Sequence, residues 1–477
     1  MLLGLIILVA VAQPSWQRLA ERGAAAQDAD RAQEAFDALS AAIADPGFSA
    51  ASGEERHTIL RRAAYAALAL KQFDVARGLF RRAAAMPERI GKDFFGVYVA
   101  TANLGDKRAT VLALTDVMRF AVTDFRDEDE TPVFQVFQRA RELAPGDGAR
   151  FDLLEAAYTA GYRNPLGEVL GPDWIDLAGM LLQKGETAKA ARVLDEIDLP
   201  SDLIDVRADK RFAALVDAQP KRYDVEAAAH RRVQRLTALT AKKPRSLRVA
   251  FALAGANKDA GAPQAALAIL DRALVRAGFY GDEERLINWV HDERARVLWR
   301  LTRFDEAIVE FQRGLTTEDR GPNISQRVNL AEHYIFLNKP ELALTTLDRL
   351  GDNATPYGRM AWEYQRLTAA NELGDDTLEQ EALDYMRAHE PDAPQALRAA
   401  LVVTGNLDEA ARVFIGELDD PMFRGAALHG LQQFSSGSKT QVPPRWEANW
   451  KRLQERQDVK AAVARAGRVY HYDLPVQ

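Results

Sequence analysis

One phrase keeps returning along this chain of 477 residues. In residues 303–315, Ala307 and Phe311 stand one helical turn apart, with Gly314 and Leu315 a further turn along. A small residue lets a second helix approach, and a large one fills the space beside it. The phrase recurs as Ala76 with Phe80 and Ala83, as Ala190 with Leu194, and as Ala266 with Leu270, Ala273 and Leu274. It returns again as Ala343 with Leu347 and as Ala410 with Phe414. From Ala307 to Ala343 is 36 residues, from Ala343 to Ala410 is 67, from Ala266 to Ala307 is 41, and from Ala190 to Ala266 is 76. These intervals lie near one common period or twice it. Such a chain reads as an array of similar helix pairs, each burying its apolar face against its neighbours.

The fullest version of the pattern is Trp174, Leu177, Ala178 and Leu181, followed by Gly185, Ala190, Leu194 and Pro200. The spacing and its recurrence resemble the tetratricopeptide repeat (TPR) family, whose unit is about 34 residues. Ala178 stands where that family has glycine, and Leu181 where it has tyrosine. The resemblance covers most of the chain between His57 and Phe414. It implies an all-α fold: stacked antiparallel helix pairs in a right-handed superhelix, with capping helices at both ends. A degenerate unit is expected over residues 362–391, with Gly374, Leu383 and Met386 at matching offsets. A longer loop is expected at 278–281.

The domain reading follows from these intervals. Residues 1–12 form a signal peptide or short anchor, because residues 2–12 are continuously apolar and Ala10-Val11-Ala12 fits a small-x-small cleavage site. The run is too short to span a bilayer, which needs roughly 20 residues. No Lys or Arg precedes it, so a miscalled start or an ordinary buried helix are the competing readings. Residues 13–56 form an N-terminal helical cap. Residues 57–220 and 221–434 form two TPR-like sub-arrays. Ser and Pro mark 435–444 as a linker, and 445–477 hold a C-terminal helix, over about 445–467, and a tail. The acidic run 124–130 reads as a solvated loop.

Several chemistries are absent from the sequence. There is no cysteine, which excludes disulfides, thiolate nucleophiles and Cys-ligated metals. No Gly-rich phosphate loop, H-E-x-x-H or G-x-S-x-G occurs. None of the seven histidines has another at i+3 or i+4, so no helix presents a paired metal site. His333 falls next to core positions and reads as structural. No catalytic residue, cofactor or metal is expected. The net charge of −7 gives no general case for nucleic acid, which favours basic surfaces.

Two surfaces stand out. Trp289, Asp292, Arg296, Trp299 and Arg303 are spaced three or four apart along one expected helix. In TPR proteins the first helices line the concave face, so the resemblance puts this stripe in a groove for a peptide or partner helix. Trp and Arg are favoured as binding hot spots. The alternative is that one Trp packs on the neighbouring repeat. The second surface is basic: Arg231, Arg232, Arg235, Lys242, Lys243, Arg245 and Arg248 lie together without an acid. A solvated helix face is one reading, and contact with anionic lipid, an envelope polymer or an acidic partner is the other.

Together these point to a non-enzymatic protein–protein interaction scaffold of the periplasm or cell envelope, binding a peptide or helix on its concave face. The alternatives are an accessory subunit for envelope polysaccharide or peptidoglycan assembly, or a cytosolic TPR regulator if the start is miscalled.

Overall fold

The structure, a computed structural model, describes residues 14–122, 137, 140, 141, 143, 147–276, 278, 286–316, 324–348, 354–435 and 446–474. The apolar run 2–12, the acidic run 124–130, most of 278–281 and all of the 435–444 linker except Ser435 lie outside them.

The described chain is all-α apart from one two-residue strand pair. It divides into two compact units, one ending at Leu177 and one beginning at Ala178. The seam lies earlier than the expected 220/221, inside a helix that is continuous through it. In the first unit the helices are α1 (Ser15–Asp28), α2 (Ala32–Ala44), α3 (Gly53–Ala69), α4 (Phe73–Ala84), α5 (Gly91–Asn103), α6 (Lys107–Phe120) and α7 (Gly148–Thr159). Helix α8 (Gly171–Gln183) contains the seam. The second unit continues with α9 (Thr187–Leu194), α10 (Pro200–Ala208), α11 (Ala213–Ala218), α12 (Val225–Lys242), α13 (Leu247–Asp259) and α14 (Pro263–Val275). Then come α15 (Ile287–Arg300), α16 (Phe304–Thr316), α17 (Ile324–Phe336), α18 (Pro340–Thr346), α19 (Pro356–Leu373) and α20 (Asp376–Ala388). The chain ends through α21 (Pro394–Val403), α22 (Leu407–Asp419), α23 (Pro421–His429), β1 (Gln433–Phe434), α24 (Trp446–Glu455), α25 (Gln457–Ala466) and β2 (His471–Tyr472).

Local chemistry starts these helices where they start. Ser52 and Glu55 form a capping box at α3: Glu55 N–H donates to Ser52 Oγ at 3.2 Å, and Ser52 N–H to Glu55 Oε2 at 2.9 Å. Asp106, Asp224 and Asp375 cap α6, α12 and α20 through their carboxylates. Proline occupies the first turn of α10, α14, α18, α19, α21 and α23, where its missing N–H removes a donor the helix could not satisfy anyway.

The repeated phrase is core wherever it occurs. Ala76, Phe80, Ala190, Leu194, Ala266, Leu270, Ala307, Phe311, Ala343, Leu347, Ala410 and Phe414 are none of them more than 1% exposed. The expected degenerate unit is present as α19 and α20, with Leu383 and Met386 buried. A TPR-like array of helix pairs is therefore what these positions build.

The turn between the helices of a pair carries a second regularity. Gly185, Gly261, Gly374 and Gly405 have φ between 73° and 79° there. Lys71, Thr302 and Asn338 occupy the same left-handed region at corresponding turns. Thr302 is β-branched, so its φ of 60° is strained, a cost glycine would not incur. The geometry persists because Thr302 N–H donates to Trp299 O and Arg303 N–H to Leu298 O, both at 2.9 Å. Thr302→Gly is expected to raise stability by about 1 kcal/mol. A lowered denaturation midpoint would show that the threonine is not strained.

The end of the chain departs from expectation. Residues 446–466 form two helices rather than one, broken at Arg456, whose backbone is extended (φ −58°, ψ 139°). Its guanidinium bonds Asp408 at 2.6 Å and Asp458 at 2.9 Å, which holds the break. Helix α24 covers the last pair, with Trp450 and Phe414 rings 5.6 Å apart. The chain then returns to the start of its own unit. Arg468 N–H donates to Ala208 O at 2.8 Å, and Gly467 pairs with Asp209 as an antiparallel bridge. The Arg468 guanidinium holds both Asp217 oxygens at 2.7 and 2.9 Å. His429 Nδ1 lies 2.7 Å from Asp205 Oδ1. Arg207 lies over the rings of Tyr470 and Tyr472. The second unit is thus closed on itself, through residues more than two hundred apart in sequence.

Gly467 permits that closure. A Cβ there would stand 2.3 Å from Leu428 Cδ2 and 2.7 Å from Ala208 O, and the latter is backbone that cannot rotate away. Gly467→Val is expected to cost about 2 kcal/mol by overpacking. Amide exchange should speed up in α10 and α23 while α15 and α17 keep their protection. Unchanged exchange in α10 would mean that the returning segment does not hold it.

Candidate functional site

Helices α15, α17 and α19 are the first helices of three successive pairs in the second unit. A cavity of about 420 Å³ crosses all three. Trp289 comes from α15, Val328 and Asn329 from α17, and Tyr357, Gly358 and Ala361 from α19. Periodicity explains the assembly. Residues three and four apart share a helix face, so 289, 292 and 296 align on α15, as do 325, 328, 329 and 332 on α17, and 357, 361 and 364 on α19. Two aromatic rings remain open to solvent here, Trp289 at 39% and Tyr357 at 60% exposure.

About one turn further along the same helices the side chains become ionic. Asp292 is buried, accepts from Arg296 Nε at 2.9 Å and from Asn329 Nδ2 at 2.9 Å, and so ties α15 to α17. Burial raises its pKa, against the pull of Arg296 and Asn329. Beside it, Lys258 of α13 and Glu293 are paired at 2.6 Å. Glu332 of α17 stands close enough to Arg296 and Asp292 to feel both charges, and burial pushes its pKa up. Tyr364 of α19 is pushed up to about 12 by burial, with Glu332 adding to the rise. The site is an aromatic mouth beside a set of buried and half-buried ionic groups, of which Asp292 and Glu293 are paired.

The stripe expected from the sequence is only partly brought together. Trp289 lines the cavity, and Asp292 and Arg296 follow on the same face of α15, joined to α17 through Asn329. Trp299 does not: it is 2% exposed, its ring 4.6 Å from Phe304 and 4.5 Å from His333. Steps of three and four residues only straddle a turn of 3.6, and over the ten residues from 289 the mismatch carries position 299 roughly 80° round the helix, into the core. Arg303 also leaves the stripe. It lies beyond the left-handed turn at Thr302, exposed, gripping Glu306 with both nitrogens at 2.6 Å. His333 is the core histidine its neighbours suggested. It lies 2.7 Å from Asn329 O through Nδ1, and burial lowers its pKa to about 4.

Sequence reasoning missed Asn329, Glu332, Tyr357 and Tyr364. Their signal was available: each falls on the same heptad-like face as the Trp289 stripe, one repeat or two repeats on. The signal is spread over three helices, and the pattern along any one of them shows only a third of the groove.

The basic run is not a continuous field of free cations. Arg232 pairs with Asp259 at 3.5 Å and Arg235 with Asp198 at 3.7 Å. The acids come from outside the run, Asp259 from the end of α13 and Asp198 from the segment before α10, so a reading of residues 230–248 alone could not show them. Arg231, Lys242, Lys243 and Arg245 are exposed, and Arg248 is half-buried. Among the described residues there is no group of His, Asp and Glu able to hold a metal ion, and no helix long and apolar enough to cross a membrane.

No family model matches this chain, and no curated protein matches it. Among solved structures it is similar to a Rap protein crystallised with competence and sporulation factor, at 16% identity, covering 84% of this chain and 99% of that one, with a TM-score of 0.34. Yeast Tom70 matches at 12% identity over 94% of this chain and 99% of that chain, with a TM-score of 0.32. The Cut9–Hcn1 hetero-tetramer of APC/C matches at 14% identity over 95% and 86%, with a TM-score of 0.31.

Proposed function

We propose that this chain is a non-enzymatic interaction scaffold that captures a peptide or helix of a partner protein in the α15–α17–α19 groove. The observation that carries this reading is the pair of exposed rings, Trp289 and Tyr357, flanking a cavity built by three successive repeats. Exposed aromatic area beside a concave surface is costly to leave in water and suits an anchor residue. Among the described residues, the buried acid Asp292 serves to hold α15 to α17.

The test is Trp289→Ala. Partner binding should weaken by about 2 kcal/mol, roughly thirtyfold in Kd, while the melting temperature stays within experimental scatter. Calorimetry against a partner recovered by crosslinking supplies both numbers. Binding that ignores the substitution would remove the groove from the proposal. Location in the cell envelope belongs to the same proposal and rests on the apolar run 2–12 with Ala10-Val11-Ala12 at its end. Amino-terminal sequencing of protein from its native host should then start at Gln13.

A further inference from the structure

The inner wall of the second unit is rich in acids, and nearly all are matched. Asp292 has Arg296 and Asn329. Glu293 has Lys258, and Asp259 has Arg232. Glu363 sits between Arg359 at 2.6 Å and Arg366 at 2.8 Å, and Glu417 has Arg398 at 2.6 Å. Glu332 is the exception. Among the described residues nothing donates a hydrogen bond to its carboxylate and nothing forms an ion pair with it. Arg296, whose charge acts on Glu332, already gives its Nε to Asp292.

Its position makes the vacancy informative. Glu332 is one turn past Asn329, which lines the cavity, and Tyr364 is one turn past Ala361, which lines it too. The aromatic mouth and the acid are thus parts of one groove, separated by about 5 Å along the helices. Half-burial at Glu332 makes an unmatched negative charge expensive, and burial is the main cause of its raised pKa. Asp292, Arg296 and Glu332 together leave one negative charge uncompensated. A positive group entering there would recover the lost solvation and neutralise the cluster.

We propose that Glu332 receives a lysine or arginine side chain of the bound segment, with an apolar side chain two residues away seated between Trp289 and Tyr357. Alternate residues of an extended peptide lie about 7 Å apart on one side, enough to reach from the aromatic mouth to the acid one helical turn along. This rests on the groove reading above and adds to it the chemistry of the partner: a basic, apolar-anchored segment rather than an acidic one.

The test is selection of random decapeptides displayed on phage against the intact chain, repeated on Glu332→Gln and on Trp289→Ala. Glutamine keeps the shape and removes the charge, and a melting curve confirms that the variant folds. Binders from the intact chain should be enriched in Lys or Arg two residues from an aromatic or aliphatic side chain. On Glu332→Gln the same peptides should bind at least tenfold more weakly, and reselected binders should keep the apolar position and lose the basic one. Replacing the basic residue by norleucine should cost the intact chain tenfold and Glu332→Gln nothing. Binders that depend on Trp289 but show no basic preference would overturn the Glu332 inference and leave the groove standing. A selection yielding no Trp289-dependent binder would overturn both.

Discussion

Trp299→Ala should destabilise the second unit by about 3–5 kcal/mol, the cost of removing a large aromatic from a packed core. The ring is 2% exposed and lies among Phe304, His333 and Phe336. It joins three helices: α15, which carries it, α16 through Phe304, and α17 through His333 and Phe336. The surrounding positions are held by backbone bonds of the left-handed turn at Thr302, so the space left behind cannot easily collapse. His333 is kept neutral by burial, and a hole beside it would admit water and ease its protonation. The loss should show as a lower denaturant midpoint, with any change in partner affinity following from partial unfolding. A stable Trp299→Ala protein with weakened binding would return Trp299 to the groove and overturn the core assignment.

The contrast between Trp289 and Trp299 shows where sequence reading runs out. The repeat was legible because it depends on local order: a small residue and a large one a turn apart, recurring at one period, must be buried in register. Ala307, Ala343 and Ala410 are where that logic puts them. The turns were partly legible, since Gly185, Gly374 and Gly405 advertise a left-handed residue, whereas Lys71, Thr302 and Asn338 do not. The face of a helix that meets the next pair depends on a few degrees of rotation per residue, and ten residues suffice to carry a tryptophan from groove to core.

Contacts between distant segments were invisible for a different reason. Nothing in residues 205–217 or 429–472 announces that Asp217 will hold Arg468 or that Asp205 will meet His429. Neither side has a periodic partner, and an exposed pair such as Asp217–Arg468 contributes little by itself. What fixes the meeting is the accumulated geometry of the helix pairs between them. The same holds for the basic run: Asp198 and Asp259 are matched to Arg235 and Arg232 by folding alone. The groove acid Glu332 was overlooked because a carboxylate on a helix is unremarkable until every neighbour is seen to be paired and it is not.

Ala307→Arg should be at least as damaging, on the order of 3 kcal/mol or more. Ala307 has no exposed surface and shares one continuous core with Ala295, Leu298, Phe311, Leu330 and Ala331. A guanidinium there must force helices apart, and it would sit without a carboxylate partner in an apolar surrounding. Repeat arrays transmit such damage, because each pair is stabilised mainly by the interfaces with its neighbours. The core around Ala307 runs from Leu247 of α13 to Ala369 of α19, so hydrogen exchange should accelerate across all of those helices, not in α16 alone. Val309 on the same helix provides the control: it is 44% exposed, and Val309→Arg should alter stability by no more than about 0.5 kcal/mol. Equal effects from the two substitutions would mean that position 307 does not face a neighbouring helix. The repeat assignment that depends on its smallness would then fail at this unit.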